Sequence, residues 1–112
     1  MAECIFCKMI DKKMNAKIEH EDKDVFAIHD INPQAPTHLL IMPKKHIERI
    51  DMLAEGDTEL AGKLIYAAKQ IATKRGLEHY RLVFNNGSGA GQSVFHIHLH
   101  LLSGRRMHWP PG

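Results

Sequence analysis

Apolar and polar residues alternate strictly in one segment near the C-terminal end of the chain, residues 95–102. Phenylalanine, isoleucine and leucine occupy one set of positions there, and histidine occupies the other. Because successive side chains of a β-strand point to opposite faces, this pattern predicts a half-buried strand. Its apolar set should enter the core: Phe95, Ile97, Leu99 and Leu101. Its polar set should share the opposite face: His96, His98 and His100.

The same patterns predict the other elements. Further strands are expected over residues 16–20, 25–30, 37–42 and 80–84. Asp30 should share a face with Phe26 and Ile28, and His38 should share a face with Leu40 and Met42. Apolar residues at helical spacing predict a short helix over residues 4–13 and a long one over residues 57–75. The apolar stripe predicted for the long helix comprises Leu60, Ala61, Leu64, Ile65, Ala68, Ile71 and Ala72.

This order of elements predicts the α+β class. We expect a five-stranded antiparallel sheet with one long helix on one face and a short N-terminal helix. The chain has 112 residues, no internal repeat and no linker, so we predict a single domain over residues 1–112.

Composition and charge exclude several kinds of partner. The net charge of +2 is too small to favour a nucleic acid polymer or a membrane surface. No apolar stretch approaches the ~18 residues of a membrane helix, and the first residues do not resemble a signal peptide. Only two cysteines are present, Cys4 and Cys7, which fits a reducing compartment better than a disulfide framework. We therefore expect a cytoplasmic location.

Three histidines on one strand face indicate metal binding, proton transfer or nucleophilic chemistry. No acidic residue follows His100, which weakens the interpretation of the strand as a catalytic metal site but does not exclude it. A histidine that attacks phosphorus needs an acceptor for its second ring nitrogen and donors for the phosphate oxygens. The glycine-rich segment 85–93 directly before the strand offers such donors.

These residues resemble the histidine triad (HIT) family of nucleotide hydrolases and transferases. Residues 96–102 are similar to its His-φ-His-φ-His-φ-φ signature, where φ is apolar. Residues 29–38, 43–47, 91–93 and the Trp-Pro-Pro-Gly sequence at 109–112 resemble the Hint branch, the purine nucleoside phosphoramidases. The resemblance spans essentially the whole chain. It implies a HIT-like fold and a homodimer with joined sheets.

The resemblance also implies a reaction. His98 would attack the α-phosphate of a purine nucleoside 5′-phosphoramidate, break the P–N bond and form a covalent nucleotidyl-histidine. His100, His38 and Ser93 would organise protons, without a catalytic metal. The phosphate would be held by Asn85, Gly91, Gln92 and Ser93. Asp30 would bind the ribose, and apolar residues would line the base pocket unless they are ordinary core: Ile5, Phe6, Met9, Ile28, Ile31 and Leu40.

Two further features depend on the resemblance. Family members with a Cys-x-x-Cys pair can bind a structural zinc, which implies the ligand set Cys4, Cys7, His46 and His96. This Cys₂His₂ set suits a closed zinc site, and two packed thiols are the alternative. Trp109 would reach the partner subunit's active site, or else fold back on its own chain.

A second functional class stays open. The chain could be a regulatory or scaffold protein that binds purine nucleotides and hydrolyses them incidentally. In both cases the expected ligands are purine nucleoside monophosphates and their amidates.

Overall fold

A computed structural model describes residues 4–112, which form two α-helices, five strands and three short 3₁₀ helices. The order of the α-helices and strands is α1 (Ile5–Ile10), β1 (Ile18–Glu21), β2 (Val25–His29), β3 (Thr37–Pro43), α2 (Thr58–Arg75), β4 (Arg81–Phe84) and β5 (Leu99–Ser103). All neighbouring strands are antiparallel, in the spatial order β1-β2-β3-β5-β4. The predicted α+β class, the five-stranded antiparallel sheet and both helices are confirmed.

Helix α2 ends where the sequence predicts, because Gly76 adopts the left-handed conformation (φ 71°) that glycine tolerates. Its start differs in detail. Asp57 stands at the N-cap position, but its carboxylate accepts from the Ala54 N–H (2.9 Å) and from Lys45 Nζ (2.7 Å). The buried stripe contains Ala67 in place of Ile65, which is exposed. Ile65 lies at the edge of the stripe, so the sheet contacts its neighbours Leu64 and Ala68 instead.

Alternation along the central strands produces two different faces. The helix face packs against α2 and comprises Val25, Ala27, Leu39, Ile41, Leu99 and Leu101. The site face packs against α1 and comprises Phe26, Ile28, Leu40 and Met42, with His38 and His100 on the same side. Phe6 of α1 is buried against this second face.

The histidine strand is shorter than its sequence pattern predicts. Strand β5 begins at Leu99, which pairs with Phe84, the last residue of β4. Residues 94–98 lie outside the ladder, and the Ile97 N–H donates to the Ile47 carbonyl (2.7 Å). Ile97, Leu99 and Leu101 are buried as predicted, but Phe95 is 40% exposed. The burial prediction for Phe95 is wrong because no neighbouring strand extends far enough to pair with its backbone.

Candidate functional site

His98 is buried at the point where the irregular segment 94–98 enters β5. Its Nδ1 lies 2.8 Å from the His96 carbonyl oxygen, which can only accept, so Nδ1 carries the proton of the neutral ring. The Nε2 lone pair is therefore available. Burial lowers the pKa of His98 below its ordinary value, which keeps the ring neutral. A neutral imidazole of fixed tautomer is what a histidine nucleophile requires.

The neutral rings of His38 and His100 also have fixed tautomers. The Gln34 N–H donates to His38 Nδ1 (3.0 Å), so the proton of neutral His38 is on Nε2. That Nε2 lies 2.9 Å from His100 Nδ1 and 3.4 Å from Asp30 Oδ2. The His100 proton is consequently on Nε2, because its Nδ1 accepts. Burial, then neighbouring His98 and His38, lower the pKa of His100 to about 4.

A cavity of about 280 Å³ lies between α1 and the site face. Ten of the predicted site residues line it: Ile5, Phe6, Met9, Ile28, Asp30, Ile31, Leu40, Ser93, His98 and His100. The cavity thus combines an apolar wall with the histidines and one carboxylate. His29 and Val94 also line it and were not predicted, although each directly adjoins a predicted residue in sequence, Asp30 or Ser93.

The remaining predicted phosphate contacts lie outside this cavity lining. Gln92 is buried, and its Oε1 accepts from the Gly87 N–H (2.8 Å). Its Nε2 donates to the carbonyls of Glu48 (2.7 Å) and Val94 (3.1 Å). The Gln92 side chain therefore holds the glycine-rich loop in place. Because its Nε2 already donates to two carbonyls, the side-chain amide has no N–H left for a phosphate.

Three other predicted site residues lie in the glycine-rich loop or in the C-terminal segment. Gly91 has φ +100°, and a Cβ there would lie 3.6 Å from Asn85 Nδ2, so the two residues are adjacent. Trp109 is 82% exposed. The alternative in which Trp109 folds back on its own chain is therefore wrong.

Cys4, Cys7, His46 and His96 converge, although up to 92 residues separate them. His96 Nδ1 lies 3.5 Å from Cys4 Sγ, 3.6 Å from Cys7 Sγ and 3.1 Å from His46 Nδ1. Cys7 Sγ lies 3.4 Å from His46 Nδ1. Tetrahedral zinc, with its usual bond lengths, separates such ligand atoms by roughly 3.3–3.8 Å. Three of the four distances lie in this range and the His46–His96 distance (3.1 Å) lies just below it, so the geometry and the donor set suit a closed structural zinc site.

Protonation supports the same conclusion. His96 Nε2–H donates to the Pro43 carbonyl (2.7 Å), which leaves the Nδ1 lone pair directed into the cluster. Burial, and then the hydrogen bond that the neutral Cys7 thiol makes with Cys4, raise the pKa of Cys7 to about 11. A thiolate in this place needs a cation to compensate its charge, and zinc supplies one.

A second group of candidate ligands consists of Asp30, His38 and His100. The two rings share a proton along their 2.9 Å contact, so their facing nitrogens are not both free to bind a metal. This group is better described as a hydrogen-bonded relay.

Comparisons with known proteins agree with this geometry. The model of the HIT domain matches residues 11–107. The "14 kDa zinc-binding protein" of Zea mays is 49% identical over 111 residues, which cover 96% of this chain and 87% of the maize protein.

Two solved structures have the same fold. A HIT family hydrolase from Legionella pneumophila is 53% identical with a TM-score of 0.95, covering 98% of this chain and 100% of that one. A HIT family hydrolase from Clostridium thermocellum is 42% identical with a TM-score of 0.93, covering 96% of each chain. Within residues 4–112, no helix has the length and apolar character needed to cross a membrane.

Proposed function

The chain belongs to the HIT domain family and resembles its hydrolases, and from that premise we propose that it hydrolyses purine nucleoside 5′-phosphoramidates. One observation supports this proposal above the others. The His96 carbonyl fixes the His98 proton on Nδ1, and this leaves a buried, neutral Nε2 beside a cavity with an apolar wall. A purine fits an apolar wall, and Asp30 can accept hydrogen bonds from ribose hydroxyls.

In the proposed reaction, His98 Nε2 attacks the α-phosphorus. A P–N bond to the enzyme forms as the substrate P–N bond breaks, and the leaving amine takes up a proton. His100 Nε2–H and the Ser93 hydroxyl line the same cavity as His98 and would donate that proton. Water then attacks the nucleotidyl-histidine and releases the nucleoside monophosphate, which regenerates His98.

Protein groups supply every role in this reaction. The phosphate oxygens would be bound by the hydroxyl and the backbone N–H of Ser93, with Asn85 close to the same loop, because the Gly91 and Gln92 N–H groups already donate to the carbonyls of Ser88 (3.0 Å) and Gly87 (3.1 Å). Zinc, when bound, would cross-link Cys4, Cys7, His46 and His96. It would not generate the nucleophile, which is His98 in this proposal. We therefore expect added Mg²⁺ to leave turnover unchanged.

The test is turnover of adenosine 5′-phosphoramidate by the wild type, His98→Ala and the control His20→Ala. His20 lies in β1 and pairs with Asp22, away from the cavity. We expect His98→Ala to lose at least about 10⁴-fold in kcat while the control keeps it. Acid quenching of the wild type should leave nucleotide attached to the peptide that contains His98.

Other outcomes are equally informative. Full activity in His98→Ala would exclude the mechanism. Tight AMP binding without turnover in the wild type would favour the regulatory class, a nucleotide-binding scaffold, instead.

We also propose a homodimer in which the sheets join and the C-terminal segment reaches the partner's cavity. The outer strands of the sheet are β1 and β4. Glu21 at the end of β1 pairs with Lys12 (2.7 Å) and Lys44 (2.9 Å), whereas no ion pair among the described residues involves β4, so β4 is the edge more open to a second subunit. The exposed Trp109 ring is available for contact with a second subunit. Sedimentation at micromolar concentration should show a dimer, and Trp109→Ala should change substrate preference.

A reducing compartment suits this assignment, because the zinc cluster needs both thiols reduced. We propose a cytoplasmic location, which fluorescence microscopy of the tagged protein in its native cell can check.

A further inference from the structure

His96 belongs to two sites at once. Its Nδ1 faces the two cysteines and His46, while its main-chain carbonyl accepts the hydrogen bond that fixes the tautomer of His98. The ring is fully buried, and its Nε2 is held by the Pro43 carbonyl. Any displacement of His96 therefore moves the acceptor on which the proposed nucleophile depends.

Sheet pairing does not hold this part of the chain. Strand β5 begins only at Leu99, so His96 and His98 lack the ladder hydrogen bonds that fix the rest of the strand. Instead, the Ile97 backbone N–H donates to the Ile47 carbonyl and the His96 side chain donates from Nε2 to the Pro43 carbonyl, so this segment is tied to residues 43–47. His46 lies within that same segment, so a metal held by His46 and His96 would join both sides of this contact.

Helix α1 depends on the same cluster. It has six residues, and a helix this short has little stability of its own in water. Cys4 Sγ accepts from the Cys7 N–H at its first turn, and both thiols face the two histidines. Phe6, which lies between the two cysteines in sequence, makes edge-on contacts with His96 (ring centroids 5.9 Å) and His98 (5.1 Å). The helix also supplies three residues of the cavity wall: Ile5, Phe6 and Met9.

We infer that the zinc cluster positions the active site: Cys4, Cys7, His46 and the His96 side chain are positioning residues that orient His98 and hold the nucleotide-binding wall. This inference rests on the proposed function for the role of His98 in turnover. The inference also predicts that zinc binding and nucleotide binding strengthen each other, and this prediction does not depend on turnover. By thermodynamic reciprocity, if zinc improves nucleotide binding, nucleotide must improve zinc binding by the same factor.

The first test measures zinc affinity of the wild type by competition with a chromophoric chelator, with and without saturating AMP. We expect AMP to tighten zinc binding at least about fivefold. Ribose 5-phosphate at the same concentration controls for chelation by phosphate and should have a smaller effect. Equal zinc affinity with and without AMP would overturn the inference, whether or not the protein turns over a phosphoramidate.

The second test separates positioning from stability. Cys7→Ser and His46→Asn should each lower kcat at least about tenfold at a temperature where both proteins are folded. Ile71→Val, in the helix-face core, controls for lost stability and should keep kcat. Long-range ¹H–¹⁵N spectra should show one His98 tautomer in the zinc-loaded wild type and a mixture in the variants. If His98 kept a single tautomer in both variants and kcat stayed within twofold of wild type, the cluster would have a purely structural role and the inference would be wrong.

Absence of turnover in the zinc-loaded wild type would contradict the proposed function. The zinc competition and the His98 tautomer would then still decide the positioning inference. If a variant does not fold, the competition measurement on the wild type decides alone.

Discussion

On the helix face of the sheet, apolar side chains pack against one long helix, whereas on the site face they meet a six-residue helix, irregular loops and four histidines. The helix face is held by regular hydrogen bonds and close packing of residues such as Leu39, Leu64 and Leu101. On the site face, His38, His96, His98 and His100 are each held by specific polar contacts.

The two faces of the sheet thus serve different purposes, stability on the helix face and reactive groups on the site face. Apolar packing gives stability but has no reactive groups, and burial of histidine gives reactive groups at a cost in desolvation. Burial lowers the pKa values of His38, His96, His98 and His100, so all four rings are kept neutral. The site face thus keeps His98, the proposed nucleophile, neutral at pH 7, and the helix face stabilises the sheet beneath it.

The largest expected effects come from Leu39 and Leu40, neighbours on β3 that point to opposite faces. Leu39→Ala opens a void in the helix-face core, so we expect a loss of about 3–5 kcal/mol in the free energy of unfolding and unchanged AMP affinity. Leu40→Ala opens into the existing cavity, so we expect a smaller loss of about 2–3 kcal/mol and weaker AMP binding. Urea titration and calorimetry measure both quantities. Equal effects on AMP affinity would contradict the division between faces.

An intermediate effect is expected at Gln92, which holds the glycine-rich loop by side-chain hydrogen bonds rather than by sheet pairing. Gln92→Ala leaves the Gly87 N–H and the Glu48 carbonyl without a partner, at a cost of about 1–3 kcal/mol. Displacement of the loop should lower kcat/KM for a phosphoramidate roughly ten- to a hundredfold. Steady-state kinetics check this, with the exposed helical Gln70→Ala as the control. Unchanged kinetics would mean that the loop does not need Gln92.

The smallest effect concerns acid stability and arises outside the cavity. Hydrogen bonds from Arg75 (2.6 and 2.7 Å), more than that from His29 (2.9 Å), lower the pKa of Glu19 to about 2. Because this pKa is below its unfolded value, ionised Glu19 stabilises the fold above about pH 4.5 and loses that contribution as the pH falls toward 2. With solvent screening, we expect Glu19→Gln to cost about 1–2 kcal/mol at pH 7.

Urea titrations at several pH values test this prediction. The difference between wild type and Glu19→Gln should shrink between pH 4.5 and 2. Glu59→Gln, in an exposed pair with Lys63 (3.7 Å), should cost much less at pH 7. A difference that is constant with pH would contradict the assignment to Glu19.

Local pattern predicted the strands, the long helix and the inward direction of Ile97, Leu99 and Leu101, because side-chain alternation is a property of the strand itself. It failed at Phe95, because burial there also needs a partner strand, and β4 ends opposite Leu99. Ile65 shows the same limit on α2, where the position of the sheet decides which edge of an apolar stripe is covered.

The candidate site was predictable where residues match a family motif, and ten such residues line the cavity. The orientation of Gln92 was not predictable, because its three partners belong to Glu48, Gly87 and Val94, and only the folded loop brings these together. The convergence of Cys4 with His96 likewise came from the resemblance, since no local pattern connects residues so far apart.

The distance along the chain between Cys4 and His96 also has a consequence during synthesis. The ribosome makes the cysteine pair first, but the last zinc ligand follows 92 residues after Cys4. At typical elongation rates, the two thiols wait about 5–20 seconds before a complete ligand set exists. The nascent chain therefore passes through a period in which its cysteines are open to oxidation or to capture of a wrong metal, and this period cannot close before His96 has been made.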